Sequence, residues 1–237
     1  MHPNPEALRQ FQTKLNVDFG SQELLTQVFV HRSYLNEHRT FPLPHNERLE
    51  FLGDAVLELV VTDHLYRTYP NPEGELTALR SSIVKGEMLA EIARKLNFSD
   101  LLLLSRGEAK SGGRDKGYLL ANALEAFLGA LYLDRGYADC ETFIHQHIIV
   151  YLADIIENKT FIDPKSRLQE YTQEKYSVTP NYVVVSETGP DHEKTFTVVV
   201  MVGEEELAQG VGGSKQSAQV NAAENALLKA EGSETPV

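Results

Sequence analysis

His45-Asn-Glu-Arg-Leu-Glu-Phe-Leu-Gly-Asp-Ala-Val-Leu57 governs the reading of the whole chain. Glu47, Glu50 and Asp54 recur at spacings of three and four, and at about 100° per residue of helix they fall within roughly 60° of arc. Three carboxylates therefore share one helix face. Leu49, Leu52, Val56 and Leu59 fall on the opposite side, which predicts a helix that buries that stripe and displays a row of acids. Phe51 breaks the pattern. It lies beside the acidic row, where a large ring should face a partner or a lid. A row of acids is also an ordinary way to solvate a helix, yet like charges at this spacing repel by a few tenths of a kcal/mol per pair. Something cationic should offset that repulsion.

The chain has 237 residues, 42% of them hydrophobic, enough for one large or two small globular cores. It carries 34 acidic and 22 basic side chains, a formal charge of −12. Bulk electrostatics would repel a polyanion, so any nucleic-acid function must rest on local basic groups or on metal ions. The single Cys140 excludes an internal disulfide and leaves no disulfide partner, and reads as a small buried residue. No targeting segment is visible and no apolar run reaches the roughly 18 residues of a membrane span. The cytoplasm is the expected compartment, with no membrane partner.

Outward from the acidic stretch, Asn4-Pro5-Glu6 reads as an N-cap with proline at the first helical position, opening a helix with Leu8, Phe11 and Leu15 on one side. Ser21 caps a second helix through Leu24, Leu25, Val28 and Phe29. His31-Arg32-Ser33-Tyr34 leads into a polar loop with Pro42 and Pro44, and the acidic helix then runs to about Tyr69 and stops at Pro70. Glu73-Gly74-Glu75 opens a helix that carries Leu76, Leu79, Ile83, Val84, Leu89, Ile92 and Leu96. Lys110-Ser-Gly-Gly-Arg-Asp-Lys116 reads as a flexible basic loop, either a mobile connection or a contact to phosphates. Tyr118 to Arg135 is helical, with Asn122 and Glu125 three apart and Gly129 and Ala130 permitting close packing. A last helix from about Ala138 to Ile156 completes an all-α half.

After linker-like residues 158–163 the pattern changes. Ser166 to Tyr176 is helical, Tyr182–Val185, Thr195–Val202 and Glu206–Val211 read as strands, and Ser214 caps a helix whose Ala218, Ala222, Ala223, Ala226 and Leu227 form a face of small residues. The order is α-β-β-β-α, which a three-stranded antiparallel sheet with both helices on one face would satisfy.

Glu50 and Asp54 on one helix and Glu125 on another offer oxygen ligands of the kind that suits Mg²⁺ or Mn²⁺, ions that keep several waters and share them with substrate phosphates. Spacing alone leaves that open. Asn46-Glu-Arg-Leu-Glu-Phe-Leu-Gly-Asp54, however, resembles the hallmark motif of bacterial ribonuclease III. His31-Arg-Ser-Tyr34, Glu73-Gly-Glu75, Lys110-Ser-Gly-Gly113 and Glu125-Ala-Phe-Leu-Gly-Ala-Leu-Tyr-Leu-Asp134 resemble the same family in the same order. Pro164-Lys-Ser-Arg-Leu-Gln-Glu170, Gly189-Pro-Asp-His192 and Gly213-Ser-Lys215 resemble its double-stranded RNA-binding domain.

The resemblance implies a mainly α ribonuclease III endonuclease and dimerisation domain over 1–157, a linker over 158–163, an α+β double-stranded RNA-binding domain over 164–232 and a tail over 233–237. It implies a homodimer that hydrolyses double-stranded RNA with Mg²⁺, or Mn²⁺ as substitute, leaving 5′-phosphate and 3′-hydroxyl ends with short 3′ overhangs. Ribosomal precursor and messenger RNAs would be the targets. Asp54 and Glu125 match its catalytic residues. Glu50 and Glu125 match its metal ligands, with Asn122 and Asp54 beside them, and Glu47 and Glu73 match accessory acids. Phe51 matches a residue that inserts into the dimer partner. Gln169, Glu170, Gln173, His192 and Lys215 match positions that contact RNA. Three departures stand out. Asn122 replaces the family's aspartate, which removes one charge and predicts weaker metal binding, a shift towards Mn²⁺, or a chain that binds duplexes without cutting them. Gln216 stands where a second lysine is usual, and residues 164–237 carry 6 bases against 11 acids, which predicts modest, salt-sensitive RNA affinity. A purely structural helical dimerisation module would give no reason for Glu50, Asp54 and Glu125 together.

Overall fold

The computed structural model describes residues 4–190 and 193–232; His192 and the expected tail at 233–237 lie outside them. Contacts divide the chain between Asn158 and Lys159 into two units.

In the first unit, short polar side chains start the opening helices. The Asn4 carboxamide oxygen accepts from Glu6 N and begins α1 (Pro5–Leu15), and Ser21 Oγ accepts from Leu24 N and begins α2 (Gln22–Val28). A short α3 (Arg32–Glu37) follows where the sequence predicts only a loop. It forms because the His31 ring accepts from Ser33 N and because Tyr34 is buried, stacking on His38 at 3.9 Å and meeting Phe41 edge-on at 5.3 Å. Next come α4 (Glu47–Thr68), α5 (Glu73–Val84) and α6 (Gly86–Lys95). The single helix expected from Glu73 past Leu96 is broken at Lys85, which is extended (φ −60°, ψ 143°). Gly86 follows, a weak helix former, and the break lets Leu79 and Ile83 on one segment and Leu89 and Ile92 on the other all become buried.

The series continues with α7 (Arg106–Lys110), α8 (Gly117–Arg135), α9 (Tyr137–His147) and α10 (Leu152–Glu157). The last two replace one predicted helix. They part at the β-branched run Ile148-Ile149-Val150, which turns as 3₁₀ over Ile149–Tyr151. The basic stretch Lys110–Lys116 is not the flexible loop expected: Lys116 Nζ meets Glu108 at 2.6 Å, Arg114 donates to the Ser99 carbonyl at 2.7 Å, and Arg94 donates to the Asp115 carbonyl at 3.3 Å. Among the described residues, extended pairing in this unit is limited to one bridge, Val30 with Leu103.

The helix α8 is the axis of the unit. It is buried nearly all round, at Leu119–Ala121, Ala123, Leu124 and Ala126–Leu131, as a helix apolar on every side must be. Around it Phe11 meets Phe29, Phe98 and Phe127 edge-on at ring separations of 5.0 to 5.9 Å. Cys140 is buried here as expected, its thiol pushed up to about 12 by burial, so it is inert at neutral pH.

In the second unit Asp163 caps α11 (Pro164–Tyr176), accepting from Lys165 N and Ser166 N, so the helix begins at its proline rather than at Ser166. The strands β1 (Asn181–Thr188), β2 (Thr195–Val202) and β3 (Glu205–Gly212) form an antiparallel sheet in that order, with Val200 opposite both Tyr182 and Ala208. The final helix is α12 (Lys215–Gly232). Leu168, Val198, Val200, Ala208, Ala218, Ala222 and Ala223 make one core, so the alanines bring α12 close to the sheet face shared with α11. Among the described residues no helix is long and apolar enough to cross a membrane.

Candidate active site

The N-terminus of α4 is fixed first. Buried Asn46 donates from its backbone to the Val30 carbonyl and from its side chain to the Val28 carbonyl, both at 2.9 Å. Its carbonyl receives the amides of Leu49 and Glu50, so the acidic face starts at a set rotation. The buried stripe of α4 is Leu49, Gly53, Val56, Leu57, Val60, Val61 and Leu65. This corrects the predicted stripe: Leu59 is 57% exposed and Leu52 only half-buried. The stripe is rotated because Gly53, which contributes nothing to an apolar count, is the point of closest approach to α8. A Cβ on Gly53 would overlap the Glu125 carbonyl oxygen and lie 2.7 Å from Gly129 N; one on Gly129 would overlap the Leu49 carbonyl oxygen. Two glycines thus let the α4 and α8 backbones touch.

That contact brings acids distant in sequence together. Glu50 is half-buried and accepts a hydrogen bond from the Asn122 amide. Its carboxyl is held above its ordinary value by burial first, then by the charges of Glu47 and Asp54, with Asn122 opposing. Glu125, half-buried on α8, is pushed up to about 7 by burial and then by Asp54 and Glu50. Glu50, Asp54, Asn122 and Glu125 therefore form one cluster. Glu47, one turn earlier on α4, faces the Arg32 guanidinium at 3.7 Å and lies 3.7 Å from the His45 ring. Glu73 is not in the cluster: it lines a groove with Thr62, Tyr66, Leu76 and Arg80 at the other end of α4. Phe51 is 81% exposed.

The donor set fits a hard divalent cation. It offers carboxylate and amide oxygens, and on Glu125 burial first, then the charges of Asp54 and Glu50, oppose ionisation that a cation would favour. Among the described residues no three His, Cys, Asp or Glu side chains already converge as a cage, so an ion held here would keep water ligands. This opposition to ionisation has a consequence for stability. Folded Glu125 binds its proton up to about pH 7, whereas unfolded glutamate releases it near 4.5, so stability without metal falls as pH rises through that window. In chelator, Glu125→Gln is expected to stabilise the nuclease unit by about 2 kcal/mol at pH 8 and by nothing at pH 4, read by urea denaturation at both pH values.

In the second unit, Gln169, Glu170 and Gln173 are exposed on α11, and Lys215 is exposed at the first turn of α12 with its Nζ 5.7 Å from the Phe196 ring centre. Sequence reasoning missed the clamp made by Asn46. In sequence Asn46 stands where a helix cap belongs, which hides its role: it makes no side-chain cap bond and donates to the Val28 carbonyl instead.

Residues 21–152 match the Ribonuclease-III-like family and residues 164–229 the double-stranded RNA binding motif. The chain is 46% identical over 221 residues to Ribonuclease 3 of Borreliella burgdorferi, spanning 93% of this chain and 90% of that protein. It is 45% identical over 227 residues to Ribonuclease 3 of Streptococcus pneumoniae, spanning 94% and 97%. The nuclease domain of ribonuclease III from Campylobacter jejuni, in a structure describing flexibility in a region involved in dimer formation, superposes with a TM-score of 0.55 at 36% identity over 60% of this chain and 95% of that one. With both its domains matched in order, the chain belongs to the ribonuclease III family of endoribonucleases acting on double-stranded RNA.

Proposed function

We propose that this endoribonuclease acts as a homodimer in which each subunit cuts one strand of an RNA duplex with Mg²⁺, or Mn²⁺ in its place, leaving 5′-phosphate and 3′-hydroxyl ends with short 3′ overhangs. The observation that carries the reading is the meeting of Glu50, Asp54 and Glu125 across the Gly53–Gly129 contact, with Glu125 pushed up to about 7. Glu50, Glu125 and the Asn122 carboxamide oxygen would hold the ion. When bound, a divalent cation supplies Lewis acidity towards the phosphodiester and acidity to water. Asp54, exposed beside Glu125, accepts hydrogen bonds from the attacking water and aligns it with the phosphorus. Glu47 and Glu73 are accessory acids, the first beside Arg32 and His45.

Support for the homodimer comes from α4. Phe51, Leu59 and Tyr66 are 81%, 57% and 78% exposed along that helix, and large exposed apolar residues on one face mark a protein interface. The groove over Thr62, Leu65, Tyr66 and Leu76 is a receptor for the partner's Phe51 ring. In the second unit, Gln169, Glu170, Gln173 and Lys215, together with His192, read the minor groove and phosphates of A-form RNA, whose deep major groove hides its bases. Residues 1–157 are the nuclease and dimerisation domain, 158–163 the linker and 164–232 the RNA-binding domain. The substrates are stems of ribosomal precursor and messenger RNAs, and the compartment is therefore the cytoplasm.

Asn122 tests this reading. Its amide donates to Glu50, so in the metal-free protein it replaces a repulsion by a hydrogen bond. Asn122→Asp is expected to lower metal-free stability at pH 8 by roughly 1 kcal/mol and to lower the Mg²⁺ concentration for half-maximal cleavage by about tenfold or more, measured on a duplex with its product ends mapped. No change in metal requirement would place Asn122 outside the ion's ligands. Restoration of cleavage to a wild type that binds duplexes without cutting them would instead support the binding-only reading.

A further inference from the structure

A second concentration of titratable side chains lies between the C-terminal half of α4 and α9. His64 and His145 meet there with ring centres 4.9 Å apart and ring planes at 78°. With Asp63, Arg67, Tyr137 and Glu141 they line an open cavity of about 530 Å³. Arg67 Nε donates to both Asp63 oxygens at 2.8 and 2.7 Å, so Asp63 is already committed. Glu141 stands one helical turn before His145 on the same wall.

We propose that His64 and His145, with Glu141 as third donor, form a Zn²⁺ site separate from the catalytic carboxylates, clamping α9 to α4. With Zn–N near 2.0–2.1 Å and a ring centre about 1.1 Å behind its nitrogen, two imidazoles on a tetrahedral ion have centres roughly 5 Å apart. The observed separation already meets that requirement. Imidazole donors select borderline ions such as Zn²⁺, whereas Mg²⁺ prefers oxygens throughout, so the two sites differ in chemistry as well as place. Among the described residues no three His, Cys, Asp or Glu side chains are placed to hold a metal ion as they stand. The pair is therefore a half-site, which closes when the partly exposed His64, His145 and Glu141 side chains turn towards the cavity. The inference does not depend on the catalytic reading.

The test is Zn²⁺ titration of the full chain by calorimetry, with Mg²⁺ held in millimolar excess, alongside thermal denaturation. Wild type is expected to bind Zn²⁺ and to melt at a higher temperature with it. His64→Gln and His145→Gln should each weaken binding by more than the roughly tenfold that loss of an outer partner costs and abolish the thermal shift. Glu141→Gln should weaken it less, and His38→Gln, on another surface, should leave it unchanged. Circular dichroism and Mg²⁺-dependent cleavage, both expected to be unaltered in these variants, verify folding. Zn²⁺ binding equal to wild type in both His64→Gln and His145→Gln, or no thermal shift in wild type, overturns the site.

Discussion

Glu125→Gln is expected to reduce metal-dependent cleavage of duplex RNA at least about a thousandfold, roughly 4 kcal/mol of transition-state stabilisation, while leaving duplex binding by the second unit intact. The substitution keeps the side chain's shape and removes its charge at a carboxyl that burial first, then Asp54 and Glu50, push up to about 7. The same change is expected to stabilise the metal-free protein above pH 7, so loss of activity cannot be assigned to loss of folding. Rates under single-turnover conditions, with binding followed separately in chelator, measure both effects. A loss smaller than tenfold would remove Glu125 from the reaction.

Gly53→Ala is expected to destabilise the nuclease unit by at least about 3 kcal/mol and to lower its melting temperature by roughly 10 °C. The added methyl overlaps the carbonyl oxygen of Glu125. Because the obstructing atoms are backbone, no side-chain rotation relieves the overlap, and α4 and α8 must separate. The residue displaced is the one proposed to act in cleavage, so the fraction that still folds should also cleave poorly. Gly74→Ala, where a new Cβ meets nothing within 4 Å, is the control and should change stability by less than about 0.5 kcal/mol. Equal effects at the two positions would show that the helix crossing does not organise the site.

The fold was legible where local chemistry dominates. Asn4, Ser21 and Ser214 announce helix starts, Pro70 announces an end, and the strand-like runs that begin at Tyr182, beyond the linker and one further helix, announce a second domain. It was not legible where tertiary packing overrides period. Gly53 is silent in an apolar count yet sets the rotation of α4, so Leu59, which looks like core, is exposed. Lys85 carries no breaking signal of its own, and the helix turns there so that both flanking segments can be buried. Arg114 and Lys116 look mobile in sequence, but Lys116 pairs with Glu108 and Arg114 donates to the Ser99 carbonyl. At the site, the types and spacing of Glu50, Asp54, Asn122 and Glu125 were visible, whereas their meeting depends on a backbone contact between two distant glycines. Glu73 shows the converse: its motif is plain in sequence, but α5 carries it to the other end of α4. The pairing of His64 with His145 gave no sequence signal, because the two lie on helices far apart in the chain.

The most direct test of the central claim is incubation of the purified protein, and of Glu125→Gln, with a long end-labelled RNA duplex at moderate salt in Mg²⁺, in Mn²⁺ and in chelator. The predicted result is metal-dependent cleavage to short duplexes with 5′-phosphates, abolished by chelator and by the substitution. Duplex binding without cleavage under either metal, or cleavage that persists in chelator, would contradict the account.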